Sequence, residues 1–450
     1  MAGPLSRRVW IGLVLGAVLR VVLLPGPGSP DVGSWKLWTF VGGWDVTGMY
    51  GVGGDPPERG LLVWGETRGT TEYPPLGLYA MAAVGRVYRE IDPTFTDSTL
   101  LTVLVKAPGI LAELALVLLL LTWGRRAIDP AAATWTAMAI WLNPAIIING
   151  AGLGYLDAEM AMPATAAVLF AGAGSPALAG ALVAAAVLTK AQAVFVFPVV
   201  ALAVFWRRRA AATAALVSFG LAGLLTSVLV MLPFALRGAL PNMVQALGRL
   251  AAHDMLSGNG LNAWWVVTWI IRSAYAVSAL GWVEAFTTPV RILQISRLEE
   301  LGYPNPKPFG TLLVLAAIGW LLWRGRHTRR LADWAYVGGW CVFAYYLLGV
   351  QVHENHLYLA VPVLALAAGL EPRFRPAFWT VSALCAAAMY LFYGFGDGSL
   401  PLVVRRWTGV DLTVLVSLAG VWVWIGGRAS FPQVAAGRGQ GSEGRMPSDP

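Results

Sequence analysis

Two histidines and a glutamate stand together in Gln351-Val352-His353-Glu354-Asn355-His356-Leu357, between the apolar runs 334–350 and 357–370. Imidazole and carboxylate groups can move protons, and imidazole can also meet a phosphate. The chain has 4 histidines, so half of them sit in this one turn. A solvated turn between two helices would also be polar. Its meaning therefore depends on which other reactive side chains share its side of the molecule.

Several do. An early segment carries Asp31, Ser34, Trp35 and Lys36, then Trp44-Asp45 and Glu72-Tyr73-Pro74-Pro75-Leu76. Asp31 follows the first apolar run closely and suits either a helix cap or a base at the membrane edge. Pro74-Pro75 removes two backbone donors and fixes an extended corner, so Glu72 and Tyr73 are held stiffly. Further on, Lys106 and Glu113 are seven residues apart on one helix face, as ion-pair partners of neighbouring helices or as functional intramembrane charges. Asn149-Gly150-Ala151-Gly152-Leu153-Gly154-Tyr155-Leu156-Asp157 has three glycines that would let backbone approach a ligand. It lacks the preceding strand and following Gly-Lys-Ser/Thr of a nucleotide loop. Lys190-Ala191-Gln192 interrupts an apolar stretch, where a lysine can serve a ligand or reach out to the interface. A second polar region holds Arg249, His253-Asp254, Asn259 and Asn262-Ala263-Trp264-Trp265.

The elements that must position these groups are membrane helices. The 450 residues are 57% hydrophobic and 12% charged, with mean hydropathy +0.64, whereas soluble proteins carry about 25% charge. Long runs such as 114–123 and 211–233 lack the alternation of barrel strands. Cys341 and Cys385 both fall in apolar runs, which implies thiols facing lipid or core and no disulfide framework. The net charge of +8 comes from arginines in short loops, so nucleic acid is a poor partner. The run 9–24 after Arg7-Arg8 reads as an uncleaved first span, since no clear small-residue cleavage site follows. Residues 428–450, rich in Gly, Ser, Pro and Arg, read as a disordered cytoplasmic tail behind a single membrane domain, 1–427.

Apolar segments at 9–24, 99–123, 131–149, 157–174, 176–189, 191–206, 212–235, 309–323, 334–351, 357–371, 376–394 and 410–426 are the candidate spans. With the N-terminus inside, Arg125-Arg126, Arg207-Arg208-Arg209, the arginines of 324–330 and Arg373/Arg375 all lie on the cytoplasmic side. Arg405-Arg406 is the contrary pair. Segment 263–283 is apolar but centred on Arg272, and a crossing there would export the arginines of 324–330. It reads as an amphipathic or re-entrant helix on the outer surface. The expectation is an all-α polytopic membrane protein of about twelve transmembrane helices. Large outer loops at 25–98 and 236–308 carry short surface helices. The breaks at Ser175-Pro176 and Lys190 suit helices that line a cavity.

Under this topology the acids, the lysine, the histidines and the tryptophans all fall on the outer side, except the Lys106/Glu113 pair. Carboxylates can activate a hydroxyl, cations can hold a phosphate, and tryptophans can stack on sugars. The order of motifs resembles the GT-C glycosyltransferases, which use polyprenyl-phosphate sugars. The nearest likeness is to dolichyl-phosphate-glucose-dependent glucosyltransferases of lipid-linked oligosaccharide assembly and to bacterial mannosyltransferase-like relatives. Asp31 matches their early acid. Glu72-Tyr73-Pro74-Pro75-Leu76 matches an acid-Tyr-Pro-Pro-Leu motif, Lys106 and Glu113 a basic–acidic pair in span two, and Gly154-Tyr155-Leu156-Asp157 a Gly-rich Gln-x-Asp-like motif. Lys190-Ala191-Gln192 is similar to a Lys-x-Gln element, Asn262-Ala263-Trp264 to an Asn-x-Trp helix start, and His353-Glu354 to a His-Glu pair opening a late span.

The resemblance implies a GT-C-like fold in a multi-pass cell-membrane protein whose active site opens on the outer face. It implies inverting transfer of a hexose, mannose or glucose, from a polyprenyl-phosphate carrier to a glycan, glycolipid or protein acceptor. Asp31 inherits the role of general base, with Asp45 as the alternative because the family's Gly-Asp-x-Glu setting is missing. Glu72, Tyr73, Lys106, Asp157, Lys190, Gln192, Arg249, His253, Asn262, Trp264, His353 and Glu354 become substrate- and donor-binding candidates. No ligand spacing demands a metal, although the loop carboxylates could take a divalent ion. The competing class is a polytopic transporter or lipid-carrier flippase. It would favour internal repeats and midplane charges. A non-catalytic subunit would tolerate loss of Asp31, Glu72 and His353, and all three are present.

Overall fold

The computed structural model describes residues 4–51, 61–396, 398 and 409–427. The expected tail at 428–450 and the pair Arg405-Arg406 lie outside the described residues.

Each apolar segment picked out in the sequence is helical. Polar residues at the starts explain where several begin. Ser6, Ser98, Asp129 and Asn305 accept a first-turn backbone N–H in front of Arg7–Leu23, Thr99–Leu119, Pro130–Trp141 and Pro306–Gly325. The segment expected as one span at 131–149 is broken. Pro130–Trp141 and Pro144–Leu153 meet at 46°. Pro144 cannot donate to the preceding turn, and Asn143 caps the second piece through Ala145 N at 2.9 Å.

By length and composition five described helices can cross a bilayer, or six if the bent pair is one span. Several other expected spans are helices of 11–17 residues, such as Phe197–Arg207 and Arg7–Leu23. At ~1.5 Å per residue these are shorter than a hydrocarbon core of ~30 Å. Ala263–Leu280 is among the five, so length and composition do not separate the surface helix expected there from a span.

Apart from Asp333, Leu331–Leu348 and Ala360–Leu370 are apolar all round and almost wholly buried, and they form the middle of the bundle. Cys341 and Cys385 are both buried free thiols, on the core side of the two alternatives. Ala212–Leu236 is the opposite case. It buries only Ala215, Phe219 and Phe234 and turns a leucine- and valine-rich face outward.

The expected outer loop 25–98 folds into the helices Asp31–Trp44 and Pro75–Ile91 and an antiparallel hairpin, Leu61–Trp64 with Thr67–Thr70. The hairpin was not anticipated. Gly65 takes φ 56 at the first turn position while Glu66 does not have positive φ, as in a II′ turn. This region has its own core of Trp35, Trp38, Met49, Tyr50, Met81 and Tyr88, into which Phe234 and Met243 also pack. The segment expected as the second outer loop, 236–308, carries Leu240–Ala251, Ala263–Leu280, Trp282–Thr287 and Ile295–Glu300.

Candidate functional site

The 25–98 and 236–308 regions and the helix breaks enclose a cavity of ≈ 720 Å³. Asp31 lines it from the first turn of Asp31–Trp44, with Ser34, Trp35 and Trp38 on the same helix. Glu72 and Tyr73 line it from the segment just before Pro74, which is extended at ψ 160 and hands over to the helix beginning at Pro75. Lys190 and Gln192 come from the break after Pro176–Thr189, and His253 from the second outer region. His353 and Glu354 complete it from the turn between the two central helices.

Lys190 does not reach out to the interface. It is 4% exposed, and its Nζ lies 2.5 Å from Asp157 Oδ1. Asp157 Oδ2 accepts from Asn149 Nδ2 and from Asn355 Nδ2, both at 2.9 Å. One carboxylate thus ties together the Gly-rich segment, the Lys190 break and the 351–356 turn. Burial opposes the Lys190 charge, but the adjoining carboxylate holds its pKa above the ordinary lysine value. The Tyr73 ring lies 5.3 Å from Nζ.

The histidines are held apart electrically. His253 Nε2 lies 2.9 Å from Glu72 Oε2, a bond between the two outer regions. That hydrogen bond raises the His253 pKa. Burial, with help from Lys190 and His253, pushes His353 down to about 4, so it is neutral at pH 7. The ring centroids of His253 and His353 are 6.2 Å apart. The Gly258–Asn259 backbone bridges to His353, so the turn is clamped by the 236–308 segment. Glu354 Oε1 accepts from the Tyr155 hydroxyl at 2.5 Å, and burial pushes Glu354 up to about 7. Burial also raises the Asp31 carboxyl, with Lys190 opposing and Asp157 adding to the shift. A raised carboxylate is a stronger base.

Five candidates do not line the cavity. Asp157 lies beneath Lys190, as described. Lys106 is buried and donates to the carbonyls of Gly26, Gly152 and Ala151 at 2.8, 3.0 and 3.2 Å. It and Glu113 share a helix face without a common partner, since Glu113 pairs with Arg20 at 2.6 Å. Arg249 donates to Thr71 O at 3.3 Å and so steadies the residue before Glu72. Asn262 caps its helix and donates to Gly349 O at 3.1 Å, while Trp264 Nε1 donates to Leu348 O at 2.7 Å. These two pin Ala263–Leu280 to the end of Leu331–Leu348. Asp45, the alternative base, is also outside the cavity. It caps Thr47 at 2.9 Å and pairs with Arg237 at 3.1 Å.

The glycines of 150–154 serve protein packing rather than a ligand. A Cβ on Gly150 would meet Glu113 Oε1 at 2.4 Å, and one on Gly154, at φ +75, would meet Val32 at 2.9 Å and Lys106 at 3.0 Å. The lining also includes Tyr155, Asn259 and Asn355, which lie within the motifs noted in the sequence, and Tyr345 and Tyr393, which do not. Asn355 was legible as one more polar residue in the 351–357 turn. Tyr345 and Tyr393 sit in apolar runs and carry no signal. Among the described residues, no group of three or more His, Cys, Asp or Glu is placed to hold a metal ion.

No protein-family model and no curated protein matches the chain. Three solved structures of the oligosaccharyltransferase of Archaeoglobus fulgidus are similar over 92% of this chain. One is tethered to an acceptor peptide (16% identity, TM-score 0.41), one is bound to an inhibitory peptide and a dolichol-phosphate (15%, 0.39), and one is the apo form (14%, 0.41). The chain spans 55–56% of their length. A likeness of that size assigns neither family nor function.

Proposed function

We propose that this chain is a GT-C-like membrane glycosyltransferase that moves one hexose from a polyprenyl-phosphate carrier to an acceptor hydroxyl on the outer face. The observation that carries the reading is the meeting of Asp31, Glu72, Lys190 and His353 around one cavity, from segments far apart in sequence. A half-buried carboxylate, a held lysine, a neutral imidazole and several aromatic rings are the groups such a transfer needs.

Asp31 takes the proton of the acceptor hydroxyl as its oxygen attacks the anomeric carbon. The bond from that carbon to the phosphate oxygen breaks, and the polyprenyl phosphate leaves with the electron pair. Attack opposite the leaving group inverts the centre. Lys190 has three N–H donors and spends one on Asp157. It can offer another to the phosphate, with the His353 ring beside it. Apolar lining from Val194, Phe195, Leu247 and Leu250 gives the first isoprene units a dry wall.

The test is transfer by the purified protein from radiolabelled polyprenyl-phosphate mannose and polyprenyl-phosphate glucose into membrane extracts. Label in a new glycoconjugate, lost in Asp31→Asn, supports the reading. Label that crosses the bilayer still on its carrier would instead establish a flippase.

A further inference from the structure

Away from the cavity, the loops 207–209 and 324–330 close on one indole. Arg209 and Arg329 place their guanidinium carbons 4.9 and 5.5 Å from the centroid of the Trp206 ring. The His327 ring lies 6.4 Å from it. Arg208 anchors the first loop by donating to Gly174 O at 2.9 and 3.2 Å. Arg326 stacks on Trp323 at 4.4 Å.

The charge here is uncompensated. Among the described residues, Arg207, Arg209, Arg324, Arg326 and Arg329 form no ion pair. The nearby acids Asp333 and Glu371 are taken by Arg373 and Arg330. The Trp206 indole N–H is buried and has no acceptor. Two guanidinium groups against one indole, with three further unpaired arginines on the same two loops, form a set of donors for phosphate oxygens. The same end of the bundle exposes Phe205 (36%) and Trp323 (56%). These apolar surfaces sit beside the arginines and lead onto the outward faces of Pro306–Gly325 and Ala212–Leu236.

We infer that this arginine–Trp206 cluster is a binding site for the phosphate headgroup of an anionic phospholipid, whose acyl chains lie against Phe205 and Trp323. The apolar neighbours decide for a lipid over a free anion, because a soluble phosphate would gain nothing from them. The site is separate from the cavity. The helix Phe197–Arg207 lies between them, roughly 16 Å long at ~1.5 Å per residue. It does not depend on the reading of the cavity.

The full chain in nanodiscs tests it. Phosphatidylcholine mixed with phosphatidylglycerol should raise the unfolding midpoint by a few degrees over phosphatidylcholine alone. Native mass spectrometry should show phosphatidylglycerol retained in preference to phosphatidylcholine. The R209Q/R329Q variant should lose both effects, while R68Q/R86Q, with two exposed arginines elsewhere, should keep both. Equal retention of the two lipids by the wild-type chain overturns the proposal, even if the double variant does not fold. So does an equal loss in R68Q/R86Q. Inorganic phosphate giving the same stabilisation in phosphatidylcholine discs would also overturn it, by showing a free-anion site.

Discussion

The Lys190 ammonium and the Asp157 carboxylate lie 2.5 Å apart, with side-chain exposures of 6% and 1%. Asp157 is the residue on which the site is assembled. It holds the lysine that faces the cavity and the two asparagines that fix the neighbouring breaks. Removing one partner leaves a buried charge unmatched, at a cost of about 3–5 kcal/mol, whereas removing both with apolar residues is often nearly neutral. Asp157→Leu and Lys190→Met should each destabilise strongly, and the double variant less than either. A thermal unfolding cycle on the three variants checks this. Additive losses would show that the two residues act separately.

The chemical role of Asp31 has its own signature. Asp31→Asn should reduce turnover about 10²–10⁴-fold, the usual effect of losing a general base, and leave binding of the polyprenyl-phosphate hexose unchanged. Retention of more than about a tenth of wild-type turnover would move the base to Glu72, since Asp45 lies outside the cavity. Burial raises the Asp31 pKa above the ordinary aspartate value. The acidic limb of kcat/KM should therefore lie above the ordinary aspartate range.

Lys106 separates a structural lysine from a donor-binding one. Its three carbonyl partners lie in the backbone of Gly26, Ala151 and Gly152. Hydrogen bonds to a charged group contribute about 1.5–3 kcal/mol each. Lys106→Met should lower the unfolding midpoint clearly while leaving the donor KM of the folded fraction unchanged. A raised KM with an unchanged midpoint would restore the binding role that the sequence suggested.

His353 and His253 pull stability in opposite directions with pH, and His356, also lowered by burial, acts in the same sense as His353. His353 is depressed from 6.5 to about 4 in the fold. The unfolded chain therefore binds more protons between those values. This contribution is complete above about 6.5 and declines as pH falls toward about 4. His253 is raised by Glu72, so its contribution is present below 6.5 and is lost as pH rises through its folded value. His353→Gln should flatten the acid side of a stability–pH curve, and His253→Gln the side above about 6.5. Measured midpoints across pH 4 to 8 decide, and an unchanged acid slope in His353→Gln would show that this ring is not buried neutral.

Much of the site was legible because reactive residue types are rare in so apolar a chain. Lys190, His353, Glu354 and Asp31 stood out against leucine and alanine, and all four line the cavity. The candidates that do not line the cavity share a physical cause. A buried polar residue must be satisfied whether it meets a ligand or protein, and sequence alone does not say which. Lys106, Asp157, Asn262 and Trp264 meet protein. The glycines at 150 and 154 were misread for the same reason, since close approach to Glu113 and Lys106 looks like close approach to a ligand. The bend at Asn143-Pro144 was present as a dipeptide but was overruled by the continuous apolarity of 131–149. Tyr345 and Tyr393 were invisible because an aromatic in an apolar run usually packs.

The path of Ala263–Leu280 sets which side the arginines occupy. Asn262 and Trp264 tie the start of this helix to Gly349 and Leu348, beside the cavity. Arg272 lies in its middle and is exposed, donating to Ile292 O at 3.1 Å. An arginine at a bilayer centre costs about 2.5–3.5 kcal/mol on insertion scales. A crossing would also carry Arg324, Arg326, Arg329 and Arg330 to the outside, against the bias for positive loops within. The helix is therefore expected to lie along the outer surface and to leave the 324–330 loop in the cytoplasm. Cys341 and Cys385 are buried, so a Thr328→Cys reporter can be read over a low background. It should resist a membrane-impermeant thiol reagent in intact cells and react after permeabilisation. Labelling in intact cells would show that the helix spans, and the topology of everything before it or after it would have to be reversed.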